Sequence, residues 1–91
     1  MNQFQKNLDE WMKGKGWPYW TPHEIFARLG EEVGELGREI NHLYGPKKKK
    51  PEESESSPEQ EIGDILYTLA CYANSNGIDL DKAAQGSLDK V

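Results

Sequence analysis

The apolar residues of this chain recur at helical spacing in four separate stretches. The first stretch runs from about residue 2 to residue 13, and Gly14 and Gly16 are expected to end it. Its apolar residues follow the i, i+4, i+7, i+8 pattern of one helix face: Phe4, Leu8, Trp11 and Met12. No segment alternates convincingly between apolar and polar residues. The pattern therefore predicts an all-α bundle of about four helices with short turns and one long loop.

A second helix is predicted over residues 22–44, because a capping box precedes it and a Gly-Pro pair follows it. Thr21 is the predicted N-cap, and Glu24 is its partner three positions later. The apolar side chains fall within one arc of this helix: Ile25, Phe26, Leu29, Val33, Leu36, Ile40 and Leu43. The glutamates occupy the opposite side and its flank, where Glu32 and Glu39 border the apolar stripe.

A third helix is predicted from Pro58 to about Asn76, with Ser57 as its cap. Residues 65–73 are apolar nearly all round, so this helix is expected to be central and buried. Cys71 lies in that run and is expected to be a small buried residue rather than a nucleophile.

A fourth helix is predicted to start at Asp79 and to continue to the end of the chain. One side of it is apolar: Leu80, Ala84, Leu88 and Val91. Residues 46–57 form a polar, low-complexity connection that is expected to be mobile. Its run of four lysines is interpreted as a solvated loop rather than a nucleic-acid patch. Residues 1–91 are expected to form a single domain.

The composition limits the classes of function. The net charge of -5, from 16 acidic and 11 basic residues, argues against a general nucleic-acid binder. Hydrophobic residues make up 35% of the 91 residues, which is low for a self-sufficient core, so a partner subunit is expected to help. The chain shows no signal peptide and no apolar run that spans a bilayer, so a cytoplasmic location is expected.

Two carboxylate pairs stand out on the second and third helices. Glu32 and Glu35 are three apart, and Glu61 and Asp64 repeat that spacing, so each pair projects from one helix face. Two antiparallel helices that carry such pairs can surround a cation, and oxygen ligands suit Mg²⁺ or Mn²⁺ rather than Zn²⁺. The alternative is that these acids form a solvated face or, near a helix start, interact favourably with the helix macrodipole.

Three aromatic residues lie just before the acidic helix: Trp17, Tyr19 and Trp20. Their rings are suited to stack on a nucleobase beside the predicted metal site. The alternative is that they close the gap between the first two helices.

The paired motifs carry a resemblance to a family. GEEVGEL followed by EIGDILY across a charged loop resembles the short, single-domain all-α nucleoside triphosphate pyrophosphohydrolases of the MazG type. Their Glu-Glu-x-x-Glu motif matches Glu31, Glu32 and Glu35, and their Glu-x-x-Asp motif matches Glu61 and Asp64. The likeness covers about residues 4–90. It implies Mg²⁺-dependent hydrolysis of a nucleoside triphosphate to a monophosphate and pyrophosphate, by attack of water at the α-phosphorus.

The resemblance also assigns roles to residues. It implies that Glu32, Glu35, Glu61 and Asp64 are metal ligands, and that Glu31 orients the attacking water or pairs with a basic residue. It implies a bundle completed by a second subunit, as a homodimer or homotetramer. The implied biological role is removal of surplus nucleotides or of nucleotides with non-standard bases.

Four residues are predicted to contact the substrate: Trp17, Trp20, Arg38 and Lys90. For Arg38 the alternative is an ion pair with a neighbouring glutamate such as Glu35, and for Lys90 it is a solvated side chain.

Two other functions remain to be weighed. A di-iron bundle would use Glu-x-x-His pairs, and Glu39 with His42 forms one such pair, but such sites need two. The other alternative is a non-catalytic helical interaction module whose acids are simply solvated. That module would show no effect of metal on its stability.

Overall fold

A computed structural model describes residues 1–46 and 56–91 of the chain. They form four helices: α1 (Asn2–Lys15), α2 (Pro22–Tyr44), α3 (Pro58–Ser75) and α4 (Leu80–Asp89). This order confirms the predicted all-α bundle. Most of the connection that was predicted to be mobile, residues 47–55, lies outside the described residues. In the part that is described, no helix is long and apolar enough to cross a membrane.

The starts of α2 and α3 confirm the predicted caps. The Thr21 hydroxyl accepts from the Glu24 amide at 3.4 Å, and the Glu24 carboxylate accepts from the Thr21 amide at 2.8 Å. Ser57 and Gln60 repeat this reciprocal arrangement at 3.2 and 3.1 Å. Each box satisfies two amides that a helix start would otherwise leave without a partner.

The ends of α1 and α4 differ from the prediction by about two residues, although Gly16 ends α1 as predicted. Gly14 lies inside α1, and Gly16 ends it with a φ of 68°, a left-handed conformation that glycine adopts without strain. Helix α4 stops at Asp89, with Lys90 as its C-cap, instead of running to the end of the chain.

Helices α2 and α3 form the main contact of the bundle, and α1 packs against α3. The buried core joins the three helices: Leu8, Met12, Ile25, Ala70 and Cys71. Cys71 is only 1% exposed, which confirms its predicted burial.

A hydrogen-bonded network ties α1 to α3 through Tyr19. The Tyr19 hydroxyl donates to Oδ1 of Asp9 at 2.8 Å and accepts from Nδ2 of Asn74 at 3.0 Å. Burial, and then the hydrogen bond to Asp9, raise the pKa of Tyr19 to about 12. Tyr19 therefore ties α1 to α3, whereas the alternative weighed from the sequence was that it closes the gap between the first two helices.

The predicted apolar faces are only partly covered within one chain. On α2, Ile25 is buried, but Phe26, Val33 and Ile40 are 76%, 53% and 44% exposed. The expectation that α3 is buried all round is wrong. Four apolar or aromatic side chains along one side of this helix are each more than a third exposed and form its outer row: Ile62, Leu66, Leu69 and Tyr72. The reason is geometric, since the neighbouring helices of the same chain cover only part of each helix.

Candidate metal centre

Four carboxylates from α2 and α3 meet at one end of the contact between these helices. Glu32, Glu35, Glu61 and Asp64 each offer an oxygen, and these oxygens all lie within 4.8 Å of one another. The i, i+3 spacing places each pair on one face of its helix. The packing of α2 against α3 then brings the two pairs together, as the sequence predicted.

Half of this cluster is buried. Glu32 and Glu61 are 8% and 5% exposed, whereas Glu35 and Asp64 are open to solvent. The Ser56 hydroxyl donates to Oε1 of Glu61. Oε2 of Glu32 and Oε2 of Glu61 are buried with no hydrogen-bond partner among the described residues. A buried carboxylate oxygen without a partner is costly, so this donor set fits a cation.

The charges of the cluster oppose one another. Burial, and then the negative charges of Asp64 and Glu61, raise the pKa of Glu32, while the positive charge of Arg28 works in the other direction. The charge of Glu32, and then the contact with Glu61, raise the pKa of Glu35. Without a cation, the folded protein therefore holds these carboxylates together against their mutual repulsion.

The chemistry of the donor set favours a hard divalent cation. Only carboxylate oxygens converge here, and Mg²⁺ and Mn²⁺ prefer such ligands, whereas Zn²⁺ prefers nitrogen and sulfur. Glu39 and His42 do not belong to this group, although His42 Nδ1 lies 3.4 Å from Oε2 of Glu39. The described residues therefore offer a magnesium-type site and no second Glu-x-x-His pair for di-iron.

The predicted aromatic residues are placed in two different environments. The Trp20 ring lies 6.1 Å from the Tyr67 ring in an edge contact, beside the acidic cluster. Trp17 packs edge-on against Trp11 at 5.2 Å, with the ammonium of Lys15 5.7 Å from its ring. Trp20 is thus brought to the site, and Trp17 joins a different aromatic contact.

Three further predicted residues are exposed: Glu31, Arg38 and Lys90. Glu31 precedes the predicted ligand Glu32 on α2 but is not one of the four converging carboxylates. Among the residues that the structure describes, no ion pair involves Arg38 or Lys90, so the ion pair weighed for Arg38 with Glu35 is not formed there.

Sequence reasoning missed three residues that line a cavity of about 240 Å³ beside the cluster: Arg28, Tyr67 and Thr68. Glu32 and Asp64 line the same cavity. The signal was present in the helical period, because Arg28 lies four residues before Glu32 and Tyr67 lies three after Asp64. Each of them therefore shares a helix face with a predicted metal ligand.

Known proteins resemble this chain over nearly its whole length. YpjD of Bacillus subtilis is 46% identical over 83 residues, which cover 91% of this chain and 75% of that protein. YvdC of the same organism is 28% identical over 94 residues, covering 96% of this chain and 88% of that protein.

Solved structures share the fold. The crystal structure of Bacillus subtilis YpjD superposes with a TM-score of 0.86 at 42% identity and covers 99% of this chain and 90% of that one. A Bacillus-conserved MazG protein, described as a nucleotide pyrophosphohydrolase, superposes with a TM-score of 0.79 at 38% identity, covering 98% and 85%.

The family model for the MazG nucleotide pyrophosphohydrolase domain matches residues 20–91, which include α2, α3 and all four converging carboxylates. The chain therefore belongs to the MazG family of nucleotide pyrophosphohydrolases, hydrolases that act on phosphoric anhydrides.

Proposed function

We propose that this protein hydrolyses a nucleoside triphosphate to a nucleoside monophosphate and pyrophosphate in a Mg²⁺-dependent reaction. The observation that carries the proposal is the convergence of four carboxylates, two of them with a buried oxygen that has no partner among the described residues. Water attacks the α-phosphorus. The bond between the α-phosphorus and the oxygen that bridges it to the β-phosphorus breaks, and pyrophosphate leaves with that oxygen.

In this proposal Glu32, Glu35, Glu61 and Asp64 hold the cation. When bound, Mg²⁺ supplies Lewis-acid polarisation of a phosphoryl oxygen and lowers the pKa of a coordinated water. Glu32 and Glu61 fix the inner side of the site because they are buried, and Glu35 and Asp64 face the solvent side. Glu31 lies at the exposed edge beside them, where it orients the attacking water.

The cavity beside the cluster is the proposed substrate site. Trp20 lies next to it and offers a ring for base stacking, since its neighbours Arg28 and Tyr67 line the cavity. Trp17, Arg38 and Lys90 stay predictions, because no contact among the described residues ties them to this cavity.

A second copy of the chain is the proposed partner of the exposed apolar face of α2. This outer face is formed by Phe26, Val33 and Ile40, which recur every seven residues, about two helical turns apart, and α3 carries a second exposed row. Contiguous exposed apolar surface marks an interaction site, and a homodimer buries it most simply because the same surface serves both partners. A homodimer or homotetramer in the cytoplasm, clearing surplus nucleotides or nucleotides with non-standard bases, is the proposed biological setting.

The first test is a panel of ribo- and deoxynucleoside triphosphates, each incubated with Mg²⁺ and with a chelator, with the products separated by ion exchange. Metal-dependent release of monophosphate and pyrophosphate supports the proposal and ranks the bases. Release of diphosphate and orthophosphate overturns the proposed site of cleavage.

The variant Asp64→Asn tests the metal site in the same assay. We expect turnover to fall by about 100-fold or more, because the variant removes the charge of one ligand to the ion. The rise in melting temperature produced by Mg²⁺ with nucleotide should also disappear. Asp89→Asn is the matched control, since Asp89 is an exposed residue at the end of α4. An unchanged shift in Asp64→Asn would contradict the assignment, and no effect of metal on the wild type would favour a non-catalytic interaction module.

A further inference from the structure

One positive charge lies between the carboxylate cluster and the aromatic pair. Arg28 lines the cavity with Glu32 and Tyr67, and none of the other described residues that line it is basic. The carbon at the centre of its guanidinium lies 4.6 Å from the centroid of the Trp20 ring. Its Nη2 lies 4.0 Å from Oε1 of Glu32. The guanidinium therefore spans from the proposed base site to the proposed metal site.

The contacts of Arg28 leave its hydrogen-bonding capacity largely unused. Its side chain is 49% exposed, and 4.0 Å is too long for a hydrogen bond to Glu32. A guanidinium carries five N–H donors in a planar fork that matches two oxygens of a phosphate. The cation–π contact with the Trp20 ring holds the guanidinium beside that ring without consuming these donors.

The charge balance of the site calls for such a group. Two of the four converging carboxylates, Glu32 and Asp64, line the cavity, and a single divalent cation neutralises only part of the charge of the cluster. The charge of Arg28 acts inside the same cavity, where it opposes the repulsion between the cluster and a phosphate.

We propose that Arg28 binds the α-phosphate of the substrate, the phosphate that joins the nucleoside to the leaving pyrophosphate. This inference rests on the proposed function, in which Trp20 lies at the base and the carboxylates hold the metal. In that arrangement the base lies near Trp20 and the cation lies at Glu32. The phosphate between them is then within reach of the Arg28 guanidinium, which contacts the Trp20 ring and lies 4.0 Å from Glu32. The same group stays on the monophosphate product after cleavage, so Arg28 recognises product as well as substrate.

The test compares Arg28→Gln with wild type in calorimetric binding of three probes: Mg²⁺ alone, Mg²⁺ with pyrophosphate, and Mg²⁺ with common ribo- and deoxyribonucleoside monophosphates. We expect monophosphate affinity to fall about tenfold or more, because a charge-assisted bidentate contact is lost. Binding of Mg²⁺ alone should stay the same or become tighter, because a positive charge beside Glu32 is removed. Pyrophosphate binding should change little.

A fall in monophosphate affinity without a fall in Mg²⁺ affinity distinguishes substrate recognition by Arg28 from a structural role. A loss of Mg²⁺ affinity together with all phosphate binding would mean that Arg28 only supports the fold of the site, and would overturn the proposal. A loss confined to pyrophosphate would place Arg28 at the leaving group and would also overturn it, as would no change in any probe. Arg28→Lys should recover part of the monophosphate affinity, since it restores the charge without the fork. Lys6→Gln is the matched control, because Lys6 is an exposed basic residue on α1.

Turnover distinguishes a failure of this inference from a failure of the proposed function. If wild type releases monophosphate and pyrophosphate but Arg28→Gln keeps its kcat and KM, only the role of Arg28 is wrong. If wild type cleaves no triphosphate at the α-phosphorus, the proposed function is wrong, and the binding comparison still decides whether Arg28 recognises a nucleoside-bound phosphate.

Discussion

Two sides of α2 depart from the usual arrangement of polar and apolar residues. The face turned toward the rest of the chain buries Glu32 and Glu39 at 8% and 7% exposure. The outer face leaves Phe26, Val33 and Ile40 between 44% and 76% exposed. In most surface helices of globular proteins the apolar stripe faces the core and the charges face water.

The difference shows that folding of a single chain does not satisfy this helix. Buried carboxylates are stable when a cation or a proton compensates them, and an exposed apolar row is stable when another surface covers it. In our proposal one face is therefore a ligand-binding surface and the other a protein-binding surface. The acidic face needs Mg²⁺ in our proposal, and the outer face needs a second copy of the chain.

The largest expected effect comes from placing a charge on the outer face. We predict that Val33→Lys weakens self-association by about 100-fold or more, because an unpaired charge would be buried in the subunit contact. Light scattering coupled to size exclusion should then give the mass of a monomer at concentrations where wild type is a dimer or tetramer. Val33 is 53% exposed within the chain, so the substituted chain should still fold.

Leu88→Lys is the control for this experiment. Leu88 is a 68% exposed aliphatic residue on α4, so the same chemical change there should leave the mass unchanged. A monomeric wild type, or a Val33→Lys variant that keeps the wild-type mass, would contradict the proposal that a second copy covers the outer face.

A smaller effect of opposite sign is expected on the acidic face. We predict that Glu32→Gln raises the free energy of unfolding of the metal-free protein by about 1 kcal/mol, because it removes a buried charge that Asp64 and Glu61 repel. The same variant should lose the stabilisation by Mg²⁺ and the turnover. Chemical denaturation with chelator and with Mg²⁺ measures both changes.

Glu31→Gln is the control for stability, because Glu31 is the exposed neighbour of Glu32 on the same helix. Its metal-free stability should match that of wild type within the error of the measurement. If Glu32→Gln destabilised the metal-free protein, the repulsion inferred for the cluster would be wrong.

A change of similar size but opposite sign is expected where a partly buried polar side chain is hydrogen-bonded to its neighbours. We predict that Tyr19→Phe lowers the free energy of unfolding by about 1 kcal/mol, because Asp9 and Asn74 lose the hydroxyl between them. The folded state raises the pKa of Tyr19 to about 12, so this contribution is complete below the ordinary pKa of tyrosine near 10. The difference between wild type and variant should shrink as the pH rises from about 10 to about 12, and denaturation curves across that window measure it.

A difference that stayed constant over the same window would show that the Tyr19 hydroxyl does not contribute through its protonated form. Set beside Glu32→Gln, this variant tests whether a satisfied polar group stabilises the fold while an unsatisfied one destabilises it.

The sequence predicted the helix starts and the converging carboxylates because both depend on local spacing. The capping boxes at Thr21 and Ser57 need residues three apart, and so do the carboxylate pairs. It did not predict which side of α2 faces the rest of the chain, because a helical period defines faces but not their neighbours. It also missed Arg28, because an arginine four residues before a glutamate is typical of an ordinary ion pair on a helix surface. Only the structure shows that Arg28 lines a cavity beside Glu32.

The division of the ligands between two helices has a consequence for how the chain closes. In our proposal two ligands, Glu32 and Glu35, come before the long connection, and the other two, Glu61 and Asp64, come after it, so cation binding stabilises the packing of α2 against α3. The entropy of closing such a connection grows only with the logarithm of its length, by about 0.6 kcal/mol for each doubling. Insertions and deletions between the two motifs should therefore change the apparent affinity for the ion only slightly, and the spacing of these motifs along the chain is free to drift in evolution while the geometry of the site is kept.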